Sequence, residues 1–198
     1  GAGAVVGFGL SNDERRGETG EFAPAFRIAR GAGLALMPHA GELLGPAAVE
    51  ETLDALAPDR IGHGVRSVED PRVVERLASD GVALEVCPLS NVALGVYADP
   101  DEVPLRTLIE AGIPVALGAD DPLLFGSRLV RQYEVARESL GFSDAELAQL
   151  AAGSIRASRA PAGMKESALA GIEAWLGAHV HRGSSPFHWL AGWPYCAS

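Results

Sequence analysis

Four reactive side chains recur along the chain at nearly equal steps: His39, His63, Cys87 and Asp120, separated by 24, 24 and 33 residues. Each stands at or just past the end of a short apolar run. His39 belongs to Met37-Pro38-His39-Ala40-Gly41-Glu42. An imidazole and a carboxylate three residues apart put a soft nitrogen ligand and a carboxylate in one loop. Ala40 and Gly41 are small enough to let a substrate approach the backbone. His63 lies between Gly62 and Gly64, which predicts a histidine exposed on uncrowded backbone. Asp120 and Asp121 are adjacent carboxylates, costly after an apolar strand unless a cation or hydrogen-bond donors compensate them. Neighbours in an extended segment point opposite ways, so one is expected to face a metal and the other a substrate. Taken singly, each residue has a plainer reading: His39 as a surface-loop histidine, His63 as an incidental turn residue, Asp121 as a helix cap ahead of Pro122. Cys87 in Val86-Cys87-Pro88-Leu89-Ser90-Asn91 reads as a small buried apolar residue, with no partner motif to activate it. Ser90 and Asn91 read as tying down that loop.

The elements that must position these groups are legible in the hydropathy. Apolar runs at Ala4–Leu10, Leu34–Pro38, Arg60–Gly62, Val82–Cys87 and Ile113–Gly118 predict strands buried on both faces of a parallel sheet. Between them, Glu21–Gly31, Pro46–Ala57, Val68–Asp80 and Pro104–Ala111 carry apolar residues at helical spacing, and helices follow from Leu123 onward. This β-α alternation predicts an α/β fold with about five parallel strands and C-terminal helices. An open doubly wound sheet would place its ligand at one switch point, usually on a glycine-rich phosphate loop, and no GxGxxG or GxxxxGK[ST] is present. Polar residues recurring in step with the strand ends instead suit a (β/α)8 barrel, whose strand ends converge on one face. The expected fold is therefore an incomplete TIM-type barrel over residues 1–176, with an atypical tail over 177–198.

Hydrophobic residues make up 47% and charged residues 21% of 198, enough for one domain with a core. The net charge of −10 argues against nucleic acid or an anionic membrane as partner. Two lone cysteines, Cys87 and Cys196, make no disulfide framework, and no run is apolar enough to span a bilayer, so a cytoplasmic setting is expected. The opening Gly-Ala-Gly-Ala-Val-Val, without Met, reads as the start of a cut fragment.

HAGE, GHG, CPxSN and DDP, in this order on successive strand ends, resemble the adenosine deaminase family of metal-dependent barrel hydrolases. The resemblance runs from about Ala4 to Ala157, and the five strands match the fourth to the eighth of that barrel. It implies zinc-dependent hydrolytic removal of the 6-amino group of adenosine or a related adenine nucleoside. His39 and Asp120 resemble the metal-binding residues of the fifth and eighth strands. Glu42 resembles the shuttle that protonates the purine ring nitrogen, and His63 the histidine that orients and helps deprotonate the attacking water. Asp121 resembles the carboxylate that bonds the purine and holds the attacking oxygen, and Gly41 would lie close to the ring. Two further ligands come, in the family, from a His-x-His on the first strand. This chain has none near its start, so a zinc held by His39 and Asp120 alone would be weakly bound. His179-Val180-His181 lies in a tail unlike the family and is not assigned that role. That tail, with His188, Trp189, Trp193 and Cys196, suggests a frame error, a foreign junction or an unusual extension. Where many members carry an acidic residue on the fourth strand, this chain reads Val6-Gly7-Phe8-Gly9-Leu10 before Ser11-Asn12-Asp13-Glu14. That loop would approach the purine and ribose, and it admits a larger nucleoside such as aminodeoxyfutalosine.

A different class of reading is a barrel fragment without catalysis. Five strands leave open sheet edges, through which the chain would associate with itself or with a partner. A two-metal amide or phosphoester hydrolase fits less well. Such enzymes commonly use a carboxylated lysine, and the single lysine, Lys165, lies in the helical tail.

Overall fold

The structure, a computed structural model, describes residues 5–180. The His179-x-His181 side chains, the rest of the tail from 181 and Ala4, the first residue of the expected opening strand, lie outside it; Val5 and Val6 precede the strand that forms. Five strands form one parallel sheet in sequential order: β1 (Gly7–Leu10), β2 (Ala35–Ala40), β3 (Arg60–His63), β4 (Ala83–Val86) and β5 (Val115–Leu117). Registers such as Leu10 with Pro38, Ala40 with His63, Gly62 with Glu85 and Val86 with Leu117 carry the strand ends around one rim.

The connecting helices are α1 (Ala23–Gly31), α2 (Pro46–Leu56), α3 (Pro71–Asp80), α4 (Pro88–Ala93) and α5 (Leu105–Glu110). Four more follow β5: α6 (Pro122–Phe125), α7 (Leu129–Glu138), α8 (Asp144–Ala157) and α9 (Ala162–Val180). The expected helix over 68–80 is divided. A 3-10 turn covers Val65–Glu69, and α3 starts afresh at Pro71, because Asp70 leaves the helical region and its side chain accepts from the Arg72 N–H at 2.9 Å. Glu21–Gly31 is divided likewise, a 3-10 turn over Thr19–Phe22 preceding α1. The loop expected at Ser90 and Asn91 is helix α4, with Pro88 at its first turn.

The strands are not alike on their two faces. Ile61, Leu84, Val86, Val115 and Leu117 face the helices in a core shared with Val49, Leu53, Val73, Leu77, Leu105 and Leu108. The intervening Arg60, Gly62, Glu85 and Ala116 line a cavity of about 310 Å³ together with His39, His63, Cys87 and Asp120. One face packed under helices and one lined by small and charged groups is what a sheet curling toward a barrel presents. Strands β2 to β5 are largely buried on both faces, as expected, with Arg60 and Glu85 half-buried on the cavity side. Arg60 and Glu85 pair across adjacent strands inside this cavity. A second, smaller core joins Phe26, Ala29, Leu36 and Leu56 beneath β1, where Phe8 meets Phe26 edge to face. Among the described residues no helix is long and apolar enough to cross a membrane.

Candidate active site

His39 sits near the end of β2, and its ring lies over Gly62 on β3. A Cβ on Gly62 would come within 2.9 Å of that ring, so the first glycine of Gly-His-Gly makes room for a neighbour's imidazole. His39 Nδ1 lies 3.0 Å from the Leu10 carbonyl, which can only accept; the proton is therefore on Nδ1 and the Nε2 lone pair is left available.

His63 ends β3 with φ of 65°. It is 2% exposed, not the accessible turn histidine that its glycine neighbours suggested. Gly64 explains the difference: it also adopts a positive φ, and any Cβ there would strike Leu84, so it serves packing rather than access. Asp120, after β5, has φ of 56°. A non-glycine residue held in the left-handed region costs about 1–3 kcal/mol. Both turns are held by strand-end bonds, Gly64 N–H to the Ala40 carbonyl and Gly118 N–H to the Val86 carbonyl, each 2.9 Å.

Glu42 reaches from the loop after β2 into the same space. Its Oε1 lies 3.2 Å from His63 Nδ1 and accepts from Asn91 Nδ2 at 3.2 Å. Asn91 Nδ2 is also 3.3 Å from His63 Nδ1. Asn91, fully buried on α4, thus braces both groups, a placement that a loop reading of CPLSN did not reveal. His63 Nε2 faces Asp120 Oδ2 at 3.9 Å, beyond direct hydrogen bonding. The ring of His39 is tilted against that of His63, with centroids 5.0 Å apart.

Burial dominates the electrostatics. It raises Glu42 to about 7, helped by the negative charges of Asp120 and Glu14 and opposed by the Asn91 bond. Burial also lowers His63 to about 4, with His39 adding to the effect and Asp120 opposing it. Near neutrality the carboxyl holds a proton about half the time and the imidazole is uncharged. Cys87 is buried, its thiol is pushed up to about 12 by burial, and Sγ lies 3.7 Å from the Glu85 carbonyl. It is unfit as a nucleophile at neutral pH.

Glu42, His63 and Asp120 offer ligand atoms that all lie within 4.8 Å of one another. That trio shares only Asp120 with the His39–Asp120 pair read from the sequence. Asp121 is not one of the three. Its Oδ1 accepts from the Leu123 and Leu124 N–H groups at 2.9 and 3.0 Å, capping α6. Gly41 has φ of 69°, and a Cβ there would lie 2.4 Å from Val49, so backbone and packing alone account for the glycine.

A parallel sheet with histidines and carboxylates gathered on its strand ends defines the class of fold: part of a (β/α) barrel. The chain belongs to the adenosine deaminase family, whose pattern it matches over residues 2–175. A Streptomyces coelicolor protein provisionally named adenosine/adenine deaminase is 64% identical over 172 residues, 87% of this chain and 50% of that protein. The structure of an adenine deaminase from Arthrobacter aurescens superposes with a TM-score of 0.84 at 37% identity, covering 87% of this chain and 53% of that one. An amidohydrolase of Burkholderia ambifaria with bound zinc gives 0.81 at 26% identity, covering 91% and 50%. The chain therefore spans about half the length of the relatives it matches.

Proposed function

We propose that the protein carrying this chain hydrolytically deaminates a 6-aminopurine, adenine or an adenine nucleoside, with zinc at the strand ends. The observation that carries the reading is the buried Glu42–His63 pair braced by Asn91, a carboxyl retaining its proton toward neutrality beside a neutral imidazole. An acid and a base kept apart in pKa by their surroundings are what proton transfer at pH 7 requires.

The donor set fits zinc in part. His39 has a free Nε2, and the Asp120 carboxylate stands clear of direct bonds to His63. Glu42 is the weaker ligand of the site, since it keeps a proton and is already bonded to Asn91. A catalytic zinc commonly takes three protein ligands, so His39 and Asp120 supply part of a set. Zinc bound there would supply a water of lowered pKa.

The residues of this chain supply the rest. Glu42 delivers its proton to the purine ring nitrogen as water adds to C6. His63 faces Glu42 with Nδ1 and Asp120 with Nε2, and it orients the attacking water or takes its proton. Asp121, with one oxygen spent on α6, offers the other to the purine. The C6–O bond forms and the ring nitrogen gains the Glu42 proton; the first proton of the water then restores Glu42, the second passes to the amino group as the C6 carbonyl forms, and the C6–N bond breaks to release ammonia. The names of the relatives favour adenine beside adenosine as substrate, which widens the nucleoside expectation.

Ammonia release from adenine and from adenosine, with and without added zinc, tests this. Zinc-dependent release from either supports it. Zinc bound stoichiometrically with no release from any 6-aminopurine sinks it. Neither zinc nor release in this chain alone supports the non-catalytic reading, with association through the β1 edge, where Val5 and Val6 are exposed.

A further inference from the structure

The backbone N–H groups of four consecutive residues, Gly41, Glu42, Leu43 and Leu44, all point at one side chain. Gly41 donates to Glu14 Oε2 at 2.8 Å and Glu42 to Glu14 Oε1 at 2.9 Å. Leu43 and Leu44 donate to the same Oε1. Successive N–H groups around a left-handed residue form a concave anion site, and here Gly41 is that residue. The carbonyls of the same loop are held from the opposite side. Gly41 O accepts from the Arg66 N–H at 2.9 Å, and Leu43 O from Arg66 Nη1 at 2.7 Å. The loop between β2 and α2 is thus clamped on its donors by Glu14 and on its acceptors by Arg66.

We propose that Glu14 is a positioning residue for Glu42: an internal anion that freezes the loop, so that the Glu42 side chain meets His63 and Asn91 without searching. Glu14 lies 28 residues from Glu42 in sequence, in the loop after β1. Its catalytic consequence rests on the deaminase reading above; the clamp itself does not. Glu42, Leu43 and Leu44 all donate to Oε1, and only Gly41 donates to Oε2. An amide oxygen at the Oε1 position keeps the first three bonds, while its NH2 faces the Gly41 N–H. Glutamine should therefore loosen the loop less than alanine does, chiefly at Gly41. A cavity of about 240 Å³ borders Glu14, His39, Leu44 and Thr52, so a small carboxylate from solution can reach the vacated site.

The test is amide hydrogen exchange on the purified chain carrying Glu14→Ala or Glu14→Gln. Expected in the alanine variant is exchange faster by about tenfold or more at residues 41–44, and in the glutamine variant a smaller rise centred on Gly41, with α3 and β4 unchanged in both. Acetate, but not acetamide, restores protection saturably in the alanine variant. In protein that shows the proposed activity, kcat falls with KM and zinc content unchanged, and acetate recovers it. Unchanged exchange at 41–44 in both variants overturns the proposal. So does loss spread equally over α3 and β4 in the glutamine variant, or indifference to acetate. If the unsubstituted protein releases no ammonia while the exchange pattern holds, the deaminase reading fails and the clamp stands.

Discussion

At the ends of β2, β3 and β4 the functional side chains are buried and bonded to one another, whereas at the end of β5 they face open space. Glu42, His63 and Asn91 are all 9% exposed or less and share one hydrogen-bonded cluster. Asp120 keeps 24% of its side chain accessible, and Asp121 spends an oxygen on a helix end. In the proposed reading, the groups that would handle protons lie together in this chain, and those that would hold zinc are more exposed. The difference teaches that acid-base poise in this fold comes from desolvation and bracing, which local strands provide, while metal affinity needs ligands converging from around the rim.

The comparison can be broken most decisively at Glu42. Glu42→Gln keeps the shape and removes the transferable proton, so ammonia release should fall by about 10²–10⁴-fold while zinc uptake is retained. A similar loss of zinc would merge the two parts into one. Among the groups proposed to hold zinc, His39→Ala or Asp120→Asn should lower zinc affinity by about 100-fold or more, read by competition with a chelator, and leave the Glu42–Asn91 bond intact. Asn91→Ala removes two donors to buried groups and should cost about 1–3 kcal/mol of stability in a denaturant titration.

A smaller effect sharpens the electrostatics. Glu42 ionises at about 7 folded against 4.5 ordinarily, so the folded state holds the extra proton between those values. Its contribution to stability therefore falls as pH rises through that window. His63, lowered from 6.5 to about 4, acts oppositely: the unfolded state holds the extra proton, and stability is lost as pH falls toward 4. In the metal-free chain the two largely offset each other. Glu42→Gln should unmask the His63 slope, and its stability relative to the unsubstituted chain should grow as pH rises from 4.5 to about 7. Smallest is Gly62→Ala, whose methyl meets the His39 ring at 2.9 Å. It should cost about 1 kcal/mol and weaken zinc without altering Glu42.

Much of this was legible from residue order. Short apolar runs marked all five strands, and HAGE, GHG and ADDP placed His39, Glu42, His63 and Asp120 on adjacent strand ends. The burial of His63 was not legible, because glycine neighbours signal backbone freedom equally when a second side chain or a neighbouring strand fills the space. Asn91 was hidden because its partners lie 49 and 28 residues away and nothing local betrays them. Pro88, at the first turn of α4, was the available sign that a helix aims this residue inward. Glu14 was hidden for the opposite reason: Asn12-Asp13-Glu14-Arg15-Arg16 looks like a solvated charged turn. Asp13 does pair with both arginines there, while Glu14 turns to the backbone of the distant loop after β2.

The most direct measurement is the charge state of His63, followed by nitrogen NMR of the ring in the metal-free chain. The account predicts a neutral imidazole from about pH 8 down to about 5, with protonation setting in near 4. Titration near 6.5, the ordinary value, would mean that the Glu42–His63–Asn91 cluster is open to water and not a preassembled proton-transfer unit.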